Sequence, residues 1–160
     1  MAQEYWRKGV TKVHFTTVAL VAAPTAAQIA AATDLSPQIL SLDGFETAVE
    51  RIDIMNLDSV FTSTINGART VSGAAITFND KKNPAGTTPI SHDPIRALLA
   101  LNVTGSLVIS PYGTTTGNRC QVWPVQSSGP NDIITLGNET AQYKVDFGIT
   151  GLPADYNLAA

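Results

Sequence analysis

Apart from its carboxylates, few side chains in this sequence can act as acids, bases, nucleophiles or metal ligands near neutral pH: two histidines, His14 and His92, and one cysteine, Cys120. A histidine works by passing a proton to a partner or by lending a ring nitrogen to a metal. His14 sits in the run Lys12-Val13-His14-Phe15, His92 directly before Asp93-Pro94, and neither has companions at zinc-ligand spacing. Both are expected as plain surface residues. Cys120, between Arg119 and Gln121 in an alternating run, is expected as a small buried hydrophobe. Glu46 and Glu50 could share acid–base work, but so could any two acids on a strand. The sequence has no glycine-rich phosphate loop, no nucleophile elbow and no dinucleotide fingerprint. The expectation is a protein that is not an enzyme and holds no cofactor or metal.

The balance of residues points elsewhere. Charged residues make up 14% of the 160, against about 25% in an ordinary domain, and 19 threonines and 20 alanines fill much of the space. Charge keeps a monomer soluble and unassociated, so a chain this poor in it fits a surface covered by protein neighbours. Net charge is −3 and the ten basic residues are scattered, which excludes binding nucleic acid by phosphate neutralisation. Acid is concentrated from Asp34 to Asp58, where Asp43, Glu46, Glu50 and Asp53 also fall and Arg51 is the one base. A single cysteine permits no intrachain disulfide. No apolar run approaches the roughly 18 residues of a membrane span, so no membrane partner is expected.

The elements follow from periodicity and punctuation. Thr11 to Thr17 alternates, Val13 and Phe15 to one side, Lys12, His14 and Thr16 to the other. Thr25-Ala26-Ala27-Gln28 is a capping box opening a short helix that Ser36-Pro37 ends. Ile39 to Ile54 reads as strand with a turn at Asp43-Gly44. Asn66-Gly67, between Phe61–Ile65 and Arg69–Phe78, reads as a tight hairpin turn. Asn79 to Ser91 reads as a long loop, and Asp93-Pro94 as a helix start with Ile95, Leu98 and Leu99 on one stripe. Thr104–Tyr112 and Arg119–Val125 are strands. Glu139–Thr150 alternates with Ala141, Tyr143, Val145, Phe147 and Ile149 inward, and a short tail follows. The fold class is mainly β: two packed antiparallel sheets, a β-sandwich or flattened barrel, with one or two short helices. Residues 1–160 are expected to form a single domain with a loose N-terminal arm, Met1 to Gly9.

The order of these elements resembles the major tail tube proteins of long-tailed, siphovirus-like bacteriophages. The resemblance is carried by the short polar N-terminus and early strand, Pro24-Thr25-Ala26-Ala27-Gln28-Ile29, and Thr33-Asp34-Leu35-Ser36. It continues through the Asp93-Pro94 helix and the Gly105–Ser110 strand to the ending Phe147-Gly148-Ile149-Thr150-Gly151. It spans nearly the whole chain. It implies a virion component that joins copies of itself into hexameric rings, stacked as a tube whose inner wall is a closed β-barrel. It implies tape-measure, tail-terminator and baseplate proteins as partners, and DNA that passes through without specific binding. A secreted β-sandwich binding or adhesion module, its mature chain starting after Ala23, is an alternative, as are the tube protein of a contractile secretion apparatus and a virion decoration protein.

A channel for DNA should repel phosphate. Glu46, Glu50 and Asp53, with Asp146 from the last long strand, are therefore expected to face the lumen. Tyr5 and Trp6 in the arm, Asn66 and Gly67 at the turn, and Lys81, Lys82 and Pro84 in the long loop are expected as assembly contacts.

Overall fold

Alternation begins where the periodicity places it. In a computed structural model that describes residues 9–54, 63–81, 93–134 and 140–160, strand β1 (Lys12–Thr16) buries Val13 and Phe15 on one face. Helix α1 (Ala26–Ala31) starts at the capping box, the Thr25 hydroxyl accepting from Gln28 N and the Gln28 side chain accepting from Thr25 N. Then come β2 (Thr33–Asp34), β3 (Ile39–Asp43), β4 (Ala48–Ile54), β5 (Ser63–Thr70) and β6 (Ala75–Asn79). Helix α2 (Pro94–Leu98) is followed by β7 (Thr104–Ser110), β8 (Arg119–Ile133), β9 (Gln142–Ile149) and β10 (Ala154–Asn157).

Two antiparallel sheets result. The larger runs in the order β2-β1-β7-β8-β9-β6-β3, with β10 added beside β8; β4 and β5 form the smaller. The larger sheet is rolled, and the chain itself shows why. Leu35 N bonds Val13 O on β1 at 2.9 Å, while Gln38 O accepts from Asn79 N at the end of β6 at 2.9 Å. Three residue steps reach at most about 11 Å. Six strand spacings of a flat sheet would separate those edges by roughly 29 Å. The sheet therefore curls until its ends nearly meet, which is the flattened-barrel form of the expected fold.

One apolar cluster fills the roll: Phe15, Leu35, Ile76, Phe78, Leu107, Val125, Tyr143 and Val145 belong to it, and Ile95 and Leu99 of α2 close one side. A smaller cluster lies on the outer face of β7 and β8, where Val108, Cys120 and Val122 meet Ile29 of α1 and Leu158. Gly44 takes φ +71° with its α-carbon against the Gly73 carbonyl, so a side chain there would strike backbone.

Three elements differ from the sequence reading. Strand β8 runs on to Ile133, because Pro124 sits where its partner changes from β10 to β9 and a missing N–H is tolerated, and a bulge at Ser128-Gly129 absorbs the next breaker. The C-terminal tail is strand β10, bonded to Arg119–Val122. Asn66 and Gly67 form no turn. They lie inside β5, where Gly67 and Ala68 together oppose Glu50 as a bulge, and a β-carbon on Gly67 would stand 3.0 Å from Ile52 Cδ1. Ala141, expected in the core, is exposed just before β9 begins.

Candidate assembly interface

Two of the side chains with chemical potential, His14 and Cys120, are buried. His14 is buried rather than on the surface, lying on β1 between Asp34 of β2 and Val108 of β7. Burial lowers its pKa; Asp34 pulls the other way and Lys12 adds to the lowering, so the ring is neutral at pH 7. Its Nδ1 has no partner among the described residues, and neither has the buried Ser110 Oγ nearby on β7. Cys120 is fully buried, and burial, then the Asp155 charge, push its thiol pKa up, away from the reactive thiolate. Among the described residues no group of three His, Cys, Asp or Glu could hold a metal. His92 lies outside the described residues.

The elaborate polar arrangement in the molecule is a brace. Asp93, 3% exposed, caps α2 by accepting from Ile95 N at 3.0 Å and also accepts from Tyr143 Oη at 3.0 Å. Gln38 donates its amide to Asp93 Oδ2 at 2.7 Å and accepts from Lys81 Nζ at 3.3 Å. Arg96 stacks over the Tyr143 ring at 4.7 Å and pairs with Asp80 and Asp132. Burial first, then Asp93, drives the Tyr143 pKa far above its ordinary value, so this hydroxyl keeps its proton.

The expected lumen carboxylates do not share a surface. Extra residues sit on β5, so β4 alternates unbroken: Glu50 projects with Ile52 and Ile54, Asp53 with Arg51 on the opposite face. No single wall takes both. Glu46 borders a cleft at the base of the β4–β5 hairpin. Asp146 is on β9 with Lys144 at 3.1 Å, so its charge is largely offset. Of the expected contacts, Asn66 and Gly67 are on the hairpin, and Lys81 is exposed with its ammonium near Gln38. Tyr5, Trp6, Lys82 and Pro84 lie outside the described residues.

What the sequence reading missed is the hairpin as a whole. Every residue of β4 is exposed, and β5 is nearly so. Ile52, Ile54 and Ile65 show 48%, 36% and 51% of their surface, with Ile52 and Ile65 directly paired across the two strands. An isolated two-stranded sheet is marginal in water, and this one shows apolar side chains and, among the described residues, two unpaired edges. Beneath its base lie two adjoining clefts of about 360 and 390 Å³, which share Thr47, Arg69 and Pro153. Trp123 lines the first, its indole N–H buried without an acceptor. Such a surface belongs to a protein that is completed by contact with others. The signal was present as isoleucines alternating beside acids from Glu50 to Ile54.

Comparison with known proteins agrees. A family model described as phage tail tube protein matches residues 1–160. The chain belongs to the phage tail tube protein family. No curated protein matches it. Among solved structures the tail tube chain is similar to a chain from the cryo-EM structure of the anti-feeding prophage baseplate, 6-fold symmetrised. That likeness covers 100% of both chains at a TM-score of 0.59 and 8% identity, so it speaks for the fold. The tail tube protein is thus a structural component of the phage tail and part of the virion.

Proposed function

We propose that this tail tube protein assembles with copies of itself into hexameric rings, and that the rings stack into the conduit through which DNA leaves the particle. The observation that carries the reading is the β4–β5 hairpin, exposed on both faces with three large isoleucines and two open edges. Strands with free edges pair with further strands, and a closed ring of subunits is the arrangement that leaves none open. On this reading the tape-measure protein fills the tube during assembly, and tail-terminator and baseplate proteins meet its two ends. Purified protein at high concentration should give rings or tubes by electron microscopy and large species by light scattering. A strictly monomeric protein with no tubes would refute it.

The lumen reading narrows on the hairpin to Asp53, paired with Thr64, which is the carboxylate that offsets Arg51 and Arg69 on the same face and so weakens that face's hold on phosphate. An Asp53→Lys tube should assemble and eject DNA more slowly; unchanged ejection would move the lumen elsewhere.

A further inference from the structure

The hairpin carries a protruding surface and, on its other side, a recess of matching chemistry. On the protruding side Ile52, Ile54 and Ile65 stand together with Glu50, which alternation places on the same face. The larger cleft at the hairpin base is lined by Val71, Ile149, Leu152 and Pro153, with Arg69 beside them. Leu152 is 67% exposed, so part of this lining is apolar surface in need of cover, beside the polar Thr47 and Thr150. Glu50 and Arg69 form no ion pair among the described residues. Each surface thus joins aliphatic side chains to one charge without an ion-pair partner among the described residues, the cleft adding Thr47 and Thr150, and the two charges are opposite.

The two surfaces cannot meet within one chain. Thr47 and Arg69, which line both clefts, share the parity of Val49, opposite that of Ile52. The isoleucines therefore project from one side of the hairpin and the cleft opens on the other. We infer that the isoleucine face of one copy's hairpin seats in the hairpin-base cleft of the next copy, with Glu50 of the first against Arg69 of the second. A protrusion on one side and its complement on the other make a head-to-tail contact, which gives a ring when the rotation closes and a filament when it does not. The inference rests on the self-assembly reading and specifies which surfaces perform it.

The test uses charge reversal on two exposed positions. Glu50→Arg alone sets two cations against each other at every contact, and Arg69→Glu alone sets two anions. Each should raise the concentration needed for assembly about tenfold or more, while circular dichroism shows the fold unchanged. Mixing the two variants in equal amounts should restore rings, because each hairpin then finds an opposite charge in the other variant's cleft. The double variant should assemble by itself. As a check independent of charge, Ile65→Cys with Leu152→Cys in a Cys120→Ser background should form covalent oligomers under oxidation, and neither cysteine alone should. If wild-type protein forms tubes and both single reversals assemble at wild-type concentration, the inference falls while the function stands. Failure of the mixture, the double variant and the cross-link together would overturn it equally. If wild-type protein forms neither rings nor tubes, the self-assembly reading fails first.

Discussion

Replacing Asp93 by alanine should cost far more than one surface carboxylate. Its carboxylate is buried and engages three donors: Ile95 N at 3.0 Å, Tyr143 Oη at 3.0 Å and the Gln38 amide at 2.7 Å. Loss of the helix cap costs about 1 kcal/mol. The Tyr143 hydroxyl is left buried without its acceptor, a penalty of roughly 1–3 kcal/mol, and Gln38 is half stranded. The change should therefore total about 3–5 kcal/mol. Tyr143→Phe removes one donor and keeps the cap, so about 1–2 kcal/mol is expected. In the double variant the stranded hydroxyl is gone, so the two losses should fall short of their sum by about 1 kcal/mol or more. Urea unfolding of dilute, unassembled protein, followed by far-ultraviolet circular dichroism, gives all four corners of the cycle. A loss below about 1 kcal/mol for Asp93→Ala, or strict additivity with Tyr143→Phe, would refute the view of the brace as a coupled unit.

The buried, neutral His14 has a folded-state pKa below its ordinary 6.5, so unfolded chains bind its proton more readily. Stability should fall as pH drops through and below about 6.5, and urea midpoints at pH 7.5 and 5 should differ more in wild type than in His14→Gln. Gly44→Ala forces a β-carbon against the Gly73 carbonyl at φ +71°, and should cost about 1–3 kcal/mol or more in the same unfolding assay. Cys120→Ser puts a hydroxyl among Val108, Val122 and Leu158, which should lower stability by about 1–3 kcal/mol while leaving assembly intact by electron microscopy. Thiol reagents should label native Cys120 far more slowly than unfolded chains.

Much of the frame was readable because its signals are local. The capping box at Thr25, the Asp93-Pro94 helix start, the strand break at Gly44 and the inward row Tyr143, Val145 and Phe147 each depend on neighbours a few residues away. Asn66-Gly67 was misread for the same reason. A dipeptide that suits a tight turn also suits a bulge, and the choice was made by Ile52, fifteen positions earlier, crowding Gly67 from the partner strand. Alternation correctly put His14 on the outer face of β1, but not what covers that face. The four carboxylates illustrate the limit for the interface. Their concentration along the sequence was plain, yet strand parity sends Glu50 and Asp53 to opposite sides, and the unpaired Arg69 with its cleft comes from segments 80 residues apart.

The order in which the hairpin and its cleft are made separates them in time. Strands β4 and β5 are close in sequence, so the pairing that builds the isoleucine surface is local, though two strands alone hold it only marginally. The cleft needs Ile149, Leu152 and Pro153, and the rolled sheet behind it needs β1 joined to β7 and β6 joined to β9 across long stretches of chain. Such non-local pairing is slow, on the scale of milliseconds to seconds. During synthesis the strands of the protrusion are therefore made well before the chain, or a neighbour at the same stage, has a recess to receive them. On the proposed head-to-tail contact, growth waits for a chain translated past residue 153 and folded.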